Sequence, residues 1–214
     1  MALLFVSPAV FSVFLRSCRI LICWISVFFF IAPDCLRASP EIIGSLIDPV
    51  KLDSLRGDRA ANGRMRKIAY WLETDRREGL DPAEVIATAQ KSLAYKNPER
   101  AAVVKASLLR NLTILQRLGC LEEDGMEKLR RGRAPEITKG PYAGDIVHVD
   151  HIIPRAIAPG LDEKLYNLEF MPGSMNSSKG AKIGQRQIAL AKEWRALNLI
   201  SPEEYQKVVS AKGA

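Results

Sequence analysis

Between Asp150 and Gly180 the chain gathers a base, hard oxygen donors and a cation: Asp150-His151 at one end, Asn167 in the middle, and Asn176-Ser177-Ser178-Lys179 at the other. The 214 residues include only two histidines, His148 and His151, and they flank Asp150. Histidine is the side chain whose ordinary titration range spans neutral pH, so a general base here is one of these two. Asp150 and Asn176 offer oxygens of the kind that bind Mg²⁺ or Mn²⁺. Lys179 and Arg155 are cations of the kind that meet phosphate. Hydrolysis of a phosphodiester needs an activated water, a cation to hold negative charge and groups that fix the phosphate; these residue types supply all three. An Asp-His pair alone is more often a strand segment with no chemical task. The asparagines and the lysine downstream shift that balance.

The segment VHVDHIIPRAIAPGLDEKLYNLEFMPGSMNSSKG resembles the HNH endonuclease family, whose pattern is Asp-His-Ile-x-Pro, a loop, Asn-Leu, and then Asn-x-x-Lys-Gly. Upstream, Arg131-Gly132-Arg133-Ala134-Pro135 and Gly140-Pro141-Tyr142-Ala143-Gly144 look like the lead-in that some bacterial members carry, and a weaker resemblance reaches back to about Asp48. The resemblance implies a ββα-metal nuclease acting on DNA. His151 would be the general base, Asp150 and Asn176 the metal ligands, Asn167 the residue that ties the loop to the strand, and Lys179 a phosphate contact. The implied cofactor is a divalent cation, Mg²⁺ first, Mn²⁺ second and Zn²⁺ less suited, and the implied products carry 5′-phosphate and 3′-hydroxyl ends. His148 shares a strand face with Asp150 and is read as an auxiliary group, with direct metal ligation as the second reading. One tension stands: adjacent strand residues point to opposite faces, so Asp150 and His151 serve one site only if the strand twists or ends there. The long IAPGLDEKLY stretch also departs from the simplest family pattern.

The formal net charge of +7 and pI near 9.3 point to a polyanionic partner, nucleic acid or a negatively charged surface. The sharpest basic cluster, Lys128, Arg130, Arg131, Arg133 and Lys139 against Glu136, stands just before the Asp-His segment. Beside a nuclease-like site it reads as a phosphate-contacting surface. None of the four cysteines, Cys18, Cys23, Cys35 and Cys120, forms a Cys-x-x-Cys pair, which excludes the zinc-ribbon variant of the HNH fold. Cys120 reads as a small buried hydrophobe.

These residues must be positioned by a scaffold of α+β class. In residues 61–79, Met65, Ile68, Ala69 and Leu72 follow helical spacing; Asp81-Pro82 and Asn97-Pro98 each open a further helix, the last running to Leu118-Gly119. Tyr70, Trp71 and Tyr95 are expected as core aromatics. A Gly/Pro-rich loop over 132–144 precedes a β-branched strand from Ile146 to Ile153 that Pro154 stops; a second strand over 167–171 and a helix from Gly173 to Lys179 complete β-β-α. Helices over 185–199 and after Ser201-Pro202 close the chain. The expected organisation is therefore an N-terminal helical region at 39–131, a nuclease module at 132–184 and C-terminal helices at 185–214.

Residues 1–38 are treated apart. Apolar stretches at 2–15 and 20–33 are separated by Arg16 and Arg19, and the second has the length of a signal-peptide core rather than a comfortable membrane span. Export with cleavage near Ala38 is the leading reading, making the protein secreted or periplasmic. The alternatives are an uncleaved anchor with membrane contact through 1–33, or a start assigned too far upstream and a cytoplasmic protein. Two rivals to a nuclease also stand: a non-catalytic basic nucleic-acid-binding protein, and a zinc hydrolase built on His148 and His151.

Overall fold

The computed structural model describes residues 40–55, 60–93, 95 and 97–211. The apolar N-terminal segment, with its three cysteines and the expected export signal, lies outside the described residues. Among them the element order is α1 (Pro40–Ile47), α2 (Pro49–Asp53), α3 (Ala60–Arg77), α4 (Pro82–Ser92), α5 (Pro98–Arg117), α6 (Glu123–Arg130), β1 (Val147–His151), β2 (Leu168–Pro172), α7 (Gly173–Lys179), α8 (Gln185–Ala196) and α9 (Pro202–Ser210). Two 3₁₀ turns, Pro159–Leu161 and Leu165–Asn167, lie in the loop between the strands. The class is α+β, and no described helix is long and apolar enough to cross a membrane.

Side-chain caps set the helix starts. Asp48, Asp81, Asn97 and Ser201 each precede a proline and accept a first-turn N–H, from Val50 at 2.9 Å, Ala83 at 2.9 Å, Arg100 at 2.7 Å and Glu204 at 3.1 Å. Proline at the first helical position loses nothing there, because its missing N–H has no intrahelical acceptor. Helix α5 stops at Gly119, where φ is +70° and a Cβ would stand 2.1 Å from Thr138 Oγ1. Helices α1 and α2 are additions to the expected elements. Helix α1, Pro-Glu-Ile-Ile-Gly-Ser-Leu-Ile, buries Ile43, Gly44 and Ile47, and α2 is only five residues long.

One hydrophobic cluster runs through the described chain, from Ile43 on α1 through Met65, Leu72 and Leu115 to Phe170, Trp194 and Val208. The helical region, the strand pair and the C-terminal helices are therefore built on a shared core. The described residues belong to one compact unit. Cys120 is fully buried in it, as its apolar setting suggests, and burial pushes its thiol up to about 12.

Strands β1 and β2 pair antiparallel with His148 opposite Met171, Asp150 opposite Glu169 and His151 opposite Leu168. Two strands alone are marginal in water, and their outer edges carry unpaired backbone groups. Two buried asparagines of the helical region satisfy those edges. Asn111 of α5 donates to Leu168 O at 2.9 Å and accepts from Phe170 N at 2.8 Å, while Asn62 of α3 donates to Val149 O at 3.3 Å. Ser107, one turn before Asn111, donates to Leu165 O at 3.1 Å. An Asn111→Ala variant should lose about 2–3 kcal/mol of stability, because it leaves buried backbone groups of β2 without partners; urea unfolding measures it.

Strand β1 is shorter than the expected 146–153. It ends at His151 because Ile152 N turns to Asn167 O at 2.7 Å and Ile153 N to the Asn167 side chain at 2.8 Å. Ile146 is 41% exposed and faces Glu136 in an isolated bridge.

Two buried carboxylates tie stability to pH. Glu73 receives Arg76 Nε at 2.8 Å and Arg77 Nε at 2.9 Å; Glu169 receives Arg186 Nη1 at 2.8 Å and lies 3.0 Å from Arg110 Nε. Burial pushes both carboxyls up, but the hydrogen bonds and charges of the arginines outweigh it and hold both below the usual carboxylate range. A lowered folded-state value means stability that is present above the unfolded-state value of about 4.3 and is lost as pH falls through the folded one. The melting temperature should therefore drop on acidification below about pH 4. In Glu73→Gln the pH 7 melting temperature should be lower and that acid limb shallower.

Candidate functional site

Helix α7 lies across the His148–Asp150 face of β1. It comes close because residue 173 is glycine: a Cβ there would stand 3.0 Å from His148 Nε2 and 3.1 Å from Ile146 O. Asp145 caps the approach, its Oδ2 accepting from Ser174 N at 2.9 Å and Ser174 Oγ at 2.8 Å. Those bonds hold the Asp145 carboxyl below its usual range.

From this helix Asn176 and Lys179, three residues apart and so on one face, reach the strand. In its hydrogen-bonding orientation the Asn176 amide nitrogen lies 3.1 Å from both Asp150 oxygens, and its oxygen accepts from His148 Nδ1 at 3.3 Å. Lys179 Nζ stands 2.5 Å from Asp150 Oδ2 and also donates to the His151 carbonyl. Asp150 and Lys179 are both largely enclosed, with side-chain exposures of 19% and 18%. His148, Asp150, Asn176 and Lys179 thus form one cluster.

Asp150 and Asn176, on facing elements with the His148 imidazole beside them, are the groups of this cluster that could hold a hard divalent cation, and the Lys179 ammonium is paired with the Asp150 carboxylate. A half-turn of the Asn176 amide presents its oxygen instead of its nitrogen.

His151 points elsewhere. Its Nε2 lies 2.9 Å from Asp162 O and 2.8 Å from Asp162 Oδ1, in the loop between the strands. A backbone carbonyl only accepts, so Nε2 is the donor here, and in the neutral ring the lone pair lies on Nδ1. The opposite-face tension is thus visible in the geometry: the Asp150 carboxylate turns to α7, and the His151 imidazole turns to the loop.

Asn167 is fully buried and touches neither. It donates to Ile153 O at 3.0 Å and Leu161 O at 3.2 Å and accepts from Ile153 N. This fixes the residue next to Asp162, and with it the carbonyl that orients His151. The C-terminal helices brace the same loop. Gly160 N donates to Glu204 Oε1 at 2.6 Å, Tyr166 Oη donates to Leu199 O at 2.7 Å, and the Tyr166 ring meets Trp194 edge to face at 5.0 Å.

The remaining expected contacts lie apart from the cluster. Arg155 Nη1 is 3.7 Å from Asp162 Oδ2, beside the partner of His151. Arg130 and Arg131 both bind Glu127, at 2.7 and 2.5 Å, and Lys128 binds Asp124 at 2.7 Å, so most of the basic cluster is matched by acids on α6. The Arg130 hydrogen bond, with the neighbouring charges, holds the Glu127 carboxyl down at about 2. Arg133 is exposed.

Sequence reasoning missed Asp162, Glu204 and the Glu169–Arg110–Arg186 group. Asp162 gave one signal, as an acid in the loop bounded by His151 and Asn167. The partners of Glu169 come from α5 and α8 and gave none. No protein-family model, curated protein or solved structure matches the chain.

Proposed function

We propose that this protein is a metal-dependent endonuclease of the HNH type that hydrolyses phosphodiester bonds in DNA, its β1-β2-α7 unit being the nuclease module. The observation that carries the reading is the pairing of a base with its proton fixed on the far nitrogen, His151 against Asp162, with the adjacent Asp150 held among Asn176, His148 and Lys179.

In this reading the His151 Nδ1 lone pair takes the proton from the attacking water, and Asp162 stabilises the imidazolium that results. Asp150 and Asn176 hold the cation, with His148 beside them as the third candidate ligand. A bound Mg²⁺ supplies Lewis-acid stabilisation of charge on the leaving 3′ oxygen. Lys179 keeps Asp150 neutralised without substrate and has a phosphate oxygen as its third acceptor, beside Asp150 and the His151 carbonyl, when DNA is present. Asn167 keeps the loop, and hence the base, in register. Arg155 and the exposed Arg133 are secondary phosphate contacts, and Arg130 and Arg131 join them only by leaving Glu127.

The zinc-hydrolase rival fits less well, because the two imidazoles are committed to different partners, Asn176 and Asp162. Incubation with supercoiled plasmid tests the reading. Nicked or linear product with Mg²⁺ or Mn²⁺, lost on chelation, supports it. Plasmid that is bound yet intact across Mg²⁺, Mn²⁺ and Zn²⁺ returns the protein to the non-catalytic binding class.

A further inference from the structure

We propose that a groove beside the Asp150 cluster receives one unstacked nucleobase of the DNA strand being cut, so that unpaired DNA is the preferred substrate. The proposal rests on the nuclease reading and deepens it.

The groove has a volume of about 410 Å³, within the range of sites for small organic ligands. It adjoins the cluster by two routes: Lys179 lines it and binds Asp150, and Glu169 lines it and stands directly opposite Asp150 in the strand register. Its lining is mostly apolar and includes Ile114 of α5, Leu118 just beyond that helix, Met171 and Met175. Met175 is 44% exposed, a large apolar side chain that the fold leaves at the lip. Two cations, Lys179 and Arg186, are also in the lining, paired with Asp150 and Glu169. Glu169, the acid in the lining, is already bonded to Arg186 and Arg110.

Lys179, Arg186 and Arg110 outnumber the two acids they pair with, Asp150 and Glu169, so the apolar slot beside them complements a ligand with a flat apolar face and an attached anion, and a nucleotide has that form. Methionine walls are soft and make favourable contacts to aromatic rings. Stacking of this kind tolerates any base, because each offers a π face. A base inside a duplex is already stacked and paired and must be extracted first, so the groove favours unpaired DNA.

The test measures affinity of the full chain for a short single-stranded oligonucleotide and for the same backbone with abasic residues, in Ca²⁺ to suppress cutting. Wild type should bind the base-bearing strand about five- to tenfold more tightly, the lower part of what stacking of one base gives. Met175→Ala, at an exposed position where folding is safe, should shrink that ratio at least twofold. Ile114→Trp, which fills the groove, should bring it near one, while abasic binding stays within twofold. A wild-type ratio of one, or an equal loss on both strands in the variants, overturns the proposal. Cleavage in Mg²⁺ of the base-bearing single strand and of plasmid is scored in parallel. Cleavage without a base-dependent ratio defeats the groove and leaves the nuclease intact, whereas a base-dependent ratio without cleavage defeats the nuclease and leaves a nucleotide-binding groove.

Discussion

Replacing Asp150 with alanine should lower DNA cleavage on the order of 10³-fold, the several kcal/mol that a Lewis-acid contact gives a charged transition state. The same variant should lose measurable Mn²⁺ binding, followed by the electron paramagnetic resonance of the free ion. Both effects come from one carboxylate, which provides the full negative charge in a cluster otherwise made of an amide, an imidazole and an ammonium. Stability should fall by about 1–3 kcal/mol, because Lys179 and Asn176 both lose an acceptor in a largely enclosed site, while Lys179 keeps the His151 carbonyl. A variant that stays folded and cuts DNA at the wild-type rate would remove Asp150 from the chemistry and with it the metal-dependent reading.

How much of this was legible in the sequence depends on how far apart the partners lie along the chain. Caps followed by proline at Asp81, Asn97 and Ser201 announced helices α4, α5 and α9, because a cap is a contact within four residues. Helix α7 was equally plain, Gly173 to Lys179 lying between a strand and Gly180. The true end of β1 was not, since the backbone of Ile152 and Ile153 is claimed by Asn167, beyond a loop whose length hides the pairing. The orientation of the two strand residues was legible only as a conflict: alternation puts Asp150 and His151 on opposite faces. The loop resolves it by bringing Asp162 to the imidazole. The role of the helical region was hidden altogether, because Asn62 and Asn111 look like ordinary polar residues within helices. They seal the sheet through contacts 87 and 57 residues away. The basic cluster misled in the opposite direction: Arg130 and Arg131 sit three and four residues from Glu127, the spacing at which a helix pairs opposite charges.

That face-splitting yields the sharper expectation. His151→Ala should cut DNA about 10²- to 10⁴-fold more slowly, the usual span for a lost general base, yet bind Mn²⁺ as tightly as wild type. The imidazole bonds to Asp162, while the oxygens offered to a cation lie on the side of α7. Added imidazole should restore part of the rate in His151→Ala and none in Asp150→Ala, because a diffusible base replaces a proton acceptor but not a ligand. Asp162→Asn should cost only about tenfold, since its backbone carbonyl still fixes the Nε2 proton and only the nearby carboxylate charge is removed. Loss of metal binding in His151→Ala would instead place both histidines on one ion and favour the zinc-hydrolase rival. The distinction is therefore between a site in which adjacent residues have separate tasks on opposite faces and one in which two histidines share a single task.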